Sequence, residues 1–261
     1  MKRFKLSHKL RALAAVSIAT TLLMAPPGAS ADDAVPAAEL SAPARPFKLT
    51  LGDYFYNDAG EHHAGQDINL RYRRDGTSVW AGYYHDPVFG GQSRAGFDTS
   101  WQPLSTLDFA LLPSVQVASQ NFLGGSLTAQ AGSTWFAQIG IGRTNLRPYQ
   151  NLNFDPNDAV TVAIGHHGDD GSSYSLSTIK DDRLHTGQRH THAVMQLALP
   201  QGQRLTLDLL RKTGNGDSGH VAAWGATVTY DFPAWFVRAA HDPKQNFGTA
   251  DATRLSIGMR F

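Results

Sequence analysis

From Phe47 to Phe261 apolar residues recur at every second position over most of the chain. The last segment is the clearest case, with Leu255, Ile257, Met259 and Phe261 on one parity and Arg254, Ser256, Gly258 and Arg260 on the other. Successive side chains of a strand point to opposite faces, so the alternation predicts strands with one apolar and one polar face. The same split sets Ile68, Leu70 and Tyr72 against Asn69, Arg71 and Arg73, and Ala95, Phe97 and Trp101 against Arg94, Gly96 and Asp98. Leu107, Phe109, Leu111, Val115 and Val117 oppose Asp108, Ser114 and Gln116, while Leu205, Leu207 and Leu209 oppose Thr206 and Asp208. No segment of this region repeats at 3.6 residues, so the expected fold is all-β, with no helix beyond a short turn.

A two-faced strand suits a soluble sandwich, a soluble barrel, or a membrane barrel whose apolar face looks outward. The polar face separates these options. It carries Arg71, Arg73, Arg94, Asp98, Asp108, Asp208, Arg238, Arg254 and Arg260 among glycines and serines, whereas glutamate is confined to Glu39 and Glu61. Forked guanidinium groups facing carboxylates suit a confined polar interior better than a surface in bulk water. These nine residues are therefore the expected lining of a lumen.

Connection lengths point the same way. The turns between strands are read at 57–66, 75–76, 86–92, 102–105, 119–121, 131–133, 144–158, 167–172, 182–189, 200–203, 213–219, 231–234 and 242–252. Every second one is short and most of the others are long. Short turns at one rim, with both termini, and longer loops at the other are the construction of a transmembrane up-and-down antiparallel barrel. About fourteen strands of roughly ten residues follow, or twelve if one hairpin is really a loop.

The first residues have a different character. Lys2, Arg3, Lys5, Lys9 and Arg11 precede the apolar run from Ala12 to Ala25, and small residues Ala29 and Ala31 follow. That order predicts a cleaved secretory signal peptide over 1–31, then a flexible Ala/Pro-rich leader over 32–46 and the barrel over 47–261. Cleavage removes five of the 23 basic residues and none of the 22 acids, leaving 18 against 22. A mildly acidic mature chain gives no electrostatic footprint for nucleic acid. The absence of cysteine excludes disulfide scaffolds and cysteine-ligated metal sites. After the signal no run approaches the ~18 apolar residues of a spanning helix.

The ending Leu255, Ile257, Gly258, Met259 and Phe261 resembles the C-terminal assembly signal of bacterial outer-membrane β-barrel proteins. The resemblance covers eight residues in sequence and the region from 47 onward in architecture. It implies residence in a Gram-negative outer membrane among its lipids and lipopolysaccharide, and insertion by the barrel-assembly machinery. It implies no activity and no narrower family.

Three constellations could carry chemistry. His185, His190 and His192 follow Asp181 and Asp182 and offer metal ligands, although at none of the tight spacings of a metal motif. Asn151, Asn153, Asp155, Asn157 and Asp158 alternate oxygen donors suited to calcium, but lack the glycine and distal glutamate of a calcium loop. Gly165-His166-His167-Gly168-Asp169-Asp170-Gly171-Ser172 is faintly similar to the His-x-Ser-Asn-Gly pattern of outer-membrane phospholipases. Gly168 and Asp169 stand where the serine should be, so the segment reads as a polar turn. No cofactor is called for. The lumen set either locks into a closed bore or lines a narrow pore in which excess arginine favours anions. The sequence thus predicts a narrow channel or transport-associated barrel for small polar molecules, anions among them. A lipid hydrolase of the phospholipase or lipid A deacylase type and an accessory barrel for polysaccharide export or display are the alternatives.

Overall fold

The computed structural model describes residues 45–104, 107–152, 158–216 and 218–261. The signal peptide, most of the leader, and Asn153, Asp155 and Asn157 lie outside the described residues. Fourteen strands run in order: β1 Phe47–Asp58, β2 Glu61–Arg74, β3 Thr77–Asp86, β4 Gly90–Thr99, β5 Phe109–Ala118, β6 Phe122–Ala131 and β7 Trp135–Thr144. The second half holds β8 Ala159–His167, β9 Ser173–Asp181, β10 Arg189–Leu199, β11 Gln203–Gly216, β12 Gly219–Asp231, β13 Trp235–Asp242 and β14 Asp251–Arg260. Each strand pairs with its sequence neighbours, and β14 closes on β1 to complete an antiparallel barrel. Closure leaves no unpaired edge, which is what allows strands to cross a hydrocarbon layer.

The faces follow the alternation. Val79, Phe97, Ile139, Ile141, Val162, Ile164, Leu176, Leu209, Leu255 and Ile257 point outward and are exposed, Ile139 and Ile164 by 60% each. Buried positions alternate with them and are largely polar, among them Gln92, Arg94, Ser114, Gln116, Gln196, Thr206 and Asp208. This inversion of the soluble pattern is favourable only where lipid meets the outer surface.

Inward aromatics set the register by lying across glycines of the next strand. A Cβ on Gly96 would fall 2.4 Å from the Trp80 ring, and on Gly258 within 2.5 Å of the Phe236 ring. The paired residues are direct cross-strand partners, Trp80 with Gly96 and Phe236 with Gly258. Sliding either pair by a residue would drive a side chain into the ring and turn the apolar face inward. The chain ends are joined as well. Phe47 and Phe261 exchange both backbone hydrogen bonds at 3.0 Å and stack their rings 5.5 Å apart.

Several connections differ from the sequence expectation. β1 and β2 continue through most of 57–66 to a turn at Ala59 and Gly60, both with positive φ (51° and 93°). The Asn57 side-chain oxygen accepts from the Gly60 amide at 3.2 Å and stabilises that two-residue turn. β11 and β12 likewise extend through most of 213–219. At the opposite rim the β4–β5 connection is longer than expected and includes Asp108. Asp108 is exposed there, accepting from the Ser133 hydroxyl at 3.0 Å, and does not line the lumen.

Candidate functional site

The inward face of β1, β2, β4, β13 and β14 concentrates positive charge. Lys48, Arg71, Arg94, Arg238 and Arg254 border a cavity of ≈ 90 Å³ together with Asp67, Thr50, Asn69 and Ser256. That volume holds several waters. The five cations face one carboxylate across it.

Arg94 and Asp67 form the fixed point of this wall. The guanidinium on β4 meets the carboxylate on β2 at 2.6 Å, with side chains 7% and 8% exposed. β3 lies between them, and its residue at that level is Gly82, paired with Asn69 on one side and Arg94 on the other. A Cβ there would come 2.9 Å from the Asn69 amide nitrogen and 3.3 Å from Arg94 Nε. Glycine therefore opens the path by which Arg94 spans β3.

Residues 149–152 of the β7–β8 connection lie in the bore against the same wall. The Gln150 amide donates to Gln92 Oε1 at 2.8 Å, and Gln92 Nε2 donates back to the Gln150 carbonyl at 3.0 Å. Tyr149 stacks on Phe122 with centroids 4.3 Å apart, and its hydroxyl hydrogen-bonds the Arg94 guanidinium. Leu152 is buried with Tyr54, Tyr56, Tyr84 and Ala252. The phenols of Tyr56 and Tyr84 are joined at 2.8 Å, and Tyr84 donates to Asp86 at 2.6 Å. The Asn151 carbonyl accepts from Gln245 and Asn246 at 3.3 Å each. Two-sided anchoring of this kind fixes residues 149–152 as a constriction of the bore.

The opposite wall is different. Ser126, Thr128, Gln130 and Gln138 of β6 and β7, and Thr161, Ser175 and Ser177 of β8 and β9, face inward and are only half-buried. Small neutral hydroxyl and amide side chains that retain solvent exposure line this side of the bore.

The remaining lumen residues are distributed around this arrangement. Asp98 on β4 accepts from the Ser114 hydroxyl at 2.7 Å. Asp208 on β11 receives His192 Nδ1 at 3.0 Å. Arg260 pairs with Asp231 at the end of the barrel that holds both termini, and Arg73 shares the inward parity of β2 there. Of the apolar assembly-signal positions, Leu255, Ile257 and Met259 point outward, while Gly258 lies under Phe236. The aromatic residues divide in a way the sequence pattern did not reveal. Trp101, Trp135, Trp224 and Trp235 are exposed outward, but Tyr54, Tyr56, Tyr84, Tyr149 and Phe236 are buried in the bore.

The metal candidates do not converge. His190 is fully buried against the Phe247 ring at 5.2 Å, and His192 is engaged with Asp208, while His185 sits in the β9–β10 loop. Asp158 accepts from the Thr144 amide at 3.1 Å and hydroxyl at 2.7 Å, and from Arg183 at 2.8 Å. Among the described residues no group of three or more His, Asp or Glu side chains is arranged to hold a metal ion. The hydrolase candidate is also occupied otherwise. Ser172 donates to Asp170 at 3.1 Å and accepts from the Ala198 amide at 3.0 Å. The Ser172 backbone amide, donating to Asp170 at 2.9 Å, and then the Ser172 hydroxyl hold the Asp170 carboxyl below its ordinary pKa. His166 packs on Trp135 and His167 on Phe136, so neither histidine activates the serine.

No protein-family model and no curated protein sequence matches the chain. Among solved structures it is similar to the outer membrane protein Omp33 of Acinetobacter baumannii. The TM-score is 0.53 at 13% identity, covering 85% of this chain and 100% of that one. OprD of Pseudomonas aeruginosa matches with a TM-score of 0.41 at 10% identity, covering 82% and 93%. The NanC porin matches with a TM-score of 0.45 at 7% identity, covering 82% and 98%. The likeness to Omp33 establishes the fold, a closed antiparallel β-barrel like that of this outer membrane protein.

Proposed function

We propose that the chain is a narrow outer-membrane channel that passes small polar solutes and prefers anions. One observation carries the reading: the cavity beside the inward loop is bordered by five cations and a single carboxylate. Confined in a low-dielectric wall, such an excess raises the local concentration of anions and repels cations. The half-buried hydroxyls of β6–β9 supply the neutral side of the path. Asp67 is matched by Arg94, so Lys48, Arg71, Arg238 and Arg254 remain in excess around the cavity. The basic, apolar and small-residue order of 1–31 supports export as a precursor, with the leader following and the barrel beginning near Phe47. The alternating C-terminus supports insertion by the barrel-assembly machinery into a membrane of outer-membrane lipids and lipopolysaccharide.

Planar-bilayer recording under a potassium chloride gradient tests the proposal. The expected result is a small conductance whose reversal potential has the sign of chloride selectivity. Cation selectivity, or no conductance above background in either polarity, would overturn it.

A further inference from the structure

The outward surface of β9, β10 and β11 carries a second concentration of positive charge, separate from the bore. Lys180 and Arg189 are direct cross-strand partners. Their inward neighbours Ile179, Asp181 and His190 are buried, so both cations point away from the barrel, and both are exposed. Residues opposite one another on a sheet have Cβ atoms about 5 Å apart, and like charges placed so repel. No carboxylate pairs with either among the described residues.

Arg211 on β11 adds a third cation. It faces outward opposite Thr191, two residues along β10 from Arg189. Its guanidinium lies 5.2 Å from the Trp224 ring and donates to the carbonyls of Lys212 and Ala223 at 3.2 and 3.0 Å. It is thereby held flat against the outer wall, beside an exposed tryptophan of the kind that marks a membrane interface.

Directly toward the barrel middle, the same strands turn apolar with Leu176, Ala193 and Leu209. At the corresponding end of β1–β3 the outward residues are instead Asp53, Gln66, Tyr83 and His85. The basic patch therefore belongs to one side of the barrel, at the rim away from the chain termini, and sits over an outward apolar band.

We infer that this surface binds the phosphate groups of an outer-leaflet lipopolysaccharide, with Lys180, Arg189 and Arg211 as ligands. A multiply acylated, phosphorylated glycolipid matches each part of it. Its phosphates relieve the repulsion of the facing cations, guanidinium groups grip phosphate bidentately, and its acyl chains cover the leucines below. Arg143 on the same rim is bound bidentately to Asp182 and is not part of the set. The inference rests on the barrel spanning an outer membrane, but not on conductance through its bore.

The test is binding of bisphosphorylated lipid A, and of the same lipid with both phosphates removed, to the detergent-purified barrel. Native mass spectrometry and Trp fluorescence serve as readouts. The wild type is expected to retain the phosphorylated lipid at least several-fold more tightly. The triple variant Lys180→Gln, Arg189→Gln, Arg211→Gln should lose that preference while keeping heat-modifiable gel mobility. Arg74→Gln, at the other rim, should keep it. Equal affinity of the wild type for the two lipids overturns the inference, as does a folded triple variant that binds like wild type. If the triple variant does not fold, the wild-type comparison and the single Arg189→Gln variant decide in the same way. A barrel that conducts but shows no phosphate preference would refute this site alone.

Discussion

Arg94 reaches over Gly82 to Asp67, tying β4 to β2 across an intervening strand, and the same guanidinium meets Tyr149 of the inward loop. One buried charge thus links the barrel wall to the segment that narrows it. Removing one partner of such a pair leaves the other charge buried without compensation. Asp67→Asn is therefore expected to destabilise the barrel by about 3–5 kcal/mol, measured by urea unfolding in detergent or lipid vesicles. The double variant Asp67→Asn, Arg94→Gln should recover part of that loss. A single variant as stable as wild type would show that the pair has no structural role.

Selectivity should follow the inner wall. Arg238 and Arg254 both border the cavity, on neighbouring strands. Replacing both with glutamine should shift the reversal potential toward zero, and glutamate at both positions should move it toward cation selectivity. Unchanged selectivity in a folded double variant would place the ion path elsewhere in the bore.

The loop should govern conductance. Gln92 is bonded to Gln150 in both directions, and Leu152 is packed among Tyr54, Tyr56 and Tyr84. Gln92→Ala with Tyr149→Ala removes anchors from the wall without shortening the chain. Single-channel current is expected to rise and become noisier, because a tethered constriction becomes a mobile one. Identical current traces would mean that the loop does not set the narrowest point.

Glycines beneath the inward rings are expected to be intolerant. Gly258→Ala puts a methyl within 2.5 Å of the Phe236 ring and 2.6 Å from the Leu49 carbonyl oxygen, so the ring and the β1–β14 pairing must both give. A cost of about 1–3 kcal/mol is expected from overpacking, read as a lowered transition in heat-modifiability. The compensating change Phe236→Leu should restore the part due to the ring, since the Leu49 carbonyl contact remains. Failure of the double variant to improve on the single one would show that the Phe236 ring is not what Gly258 accommodates.

The fold was legible because the physics behind it is local. Lipid on one side and a polar bore on the other force period-two alternation, and that pattern is visible in residues such as 254–261 without any tertiary information. Strand ends were harder to read. Glu61, His62 and His63 look like loop residues, yet they belong to β2 because Ala59 and Gly60 make a two-residue turn and the hairpin projects beyond the apolar band. The site was legible only in part. Parity alone aims Arg71, Arg94, Arg238 and Arg254 inward, but which carboxylate meets which arginine depends on the relative height of strands that are distant in sequence. Tyr54 and Tyr56 share their parity with Lys48 and Thr50, which was the available sign that these aromatics face the bore. Nothing in the local pattern of 145–152 signals that this connection folds inward, since its anchors come from β4, β6, β14 and the Gln245–Phe247 turn.

The central physical claim is that the apolar face meets lipid while the polar face encloses an aqueous bore. Because the chain contains no cysteine, single cysteines can be introduced and labelled without background. Fluorophores at Ile139→Cys and Val162→Cys, in barrels reconstituted into vesicles, should be quenched by brominated lipid and not by aqueous iodide. Fluorophores at Ser126→Cys and Ser175→Cys should show the reverse. Outward positions protected from lipid bromine, or inward positions quenched by it, would contradict the account.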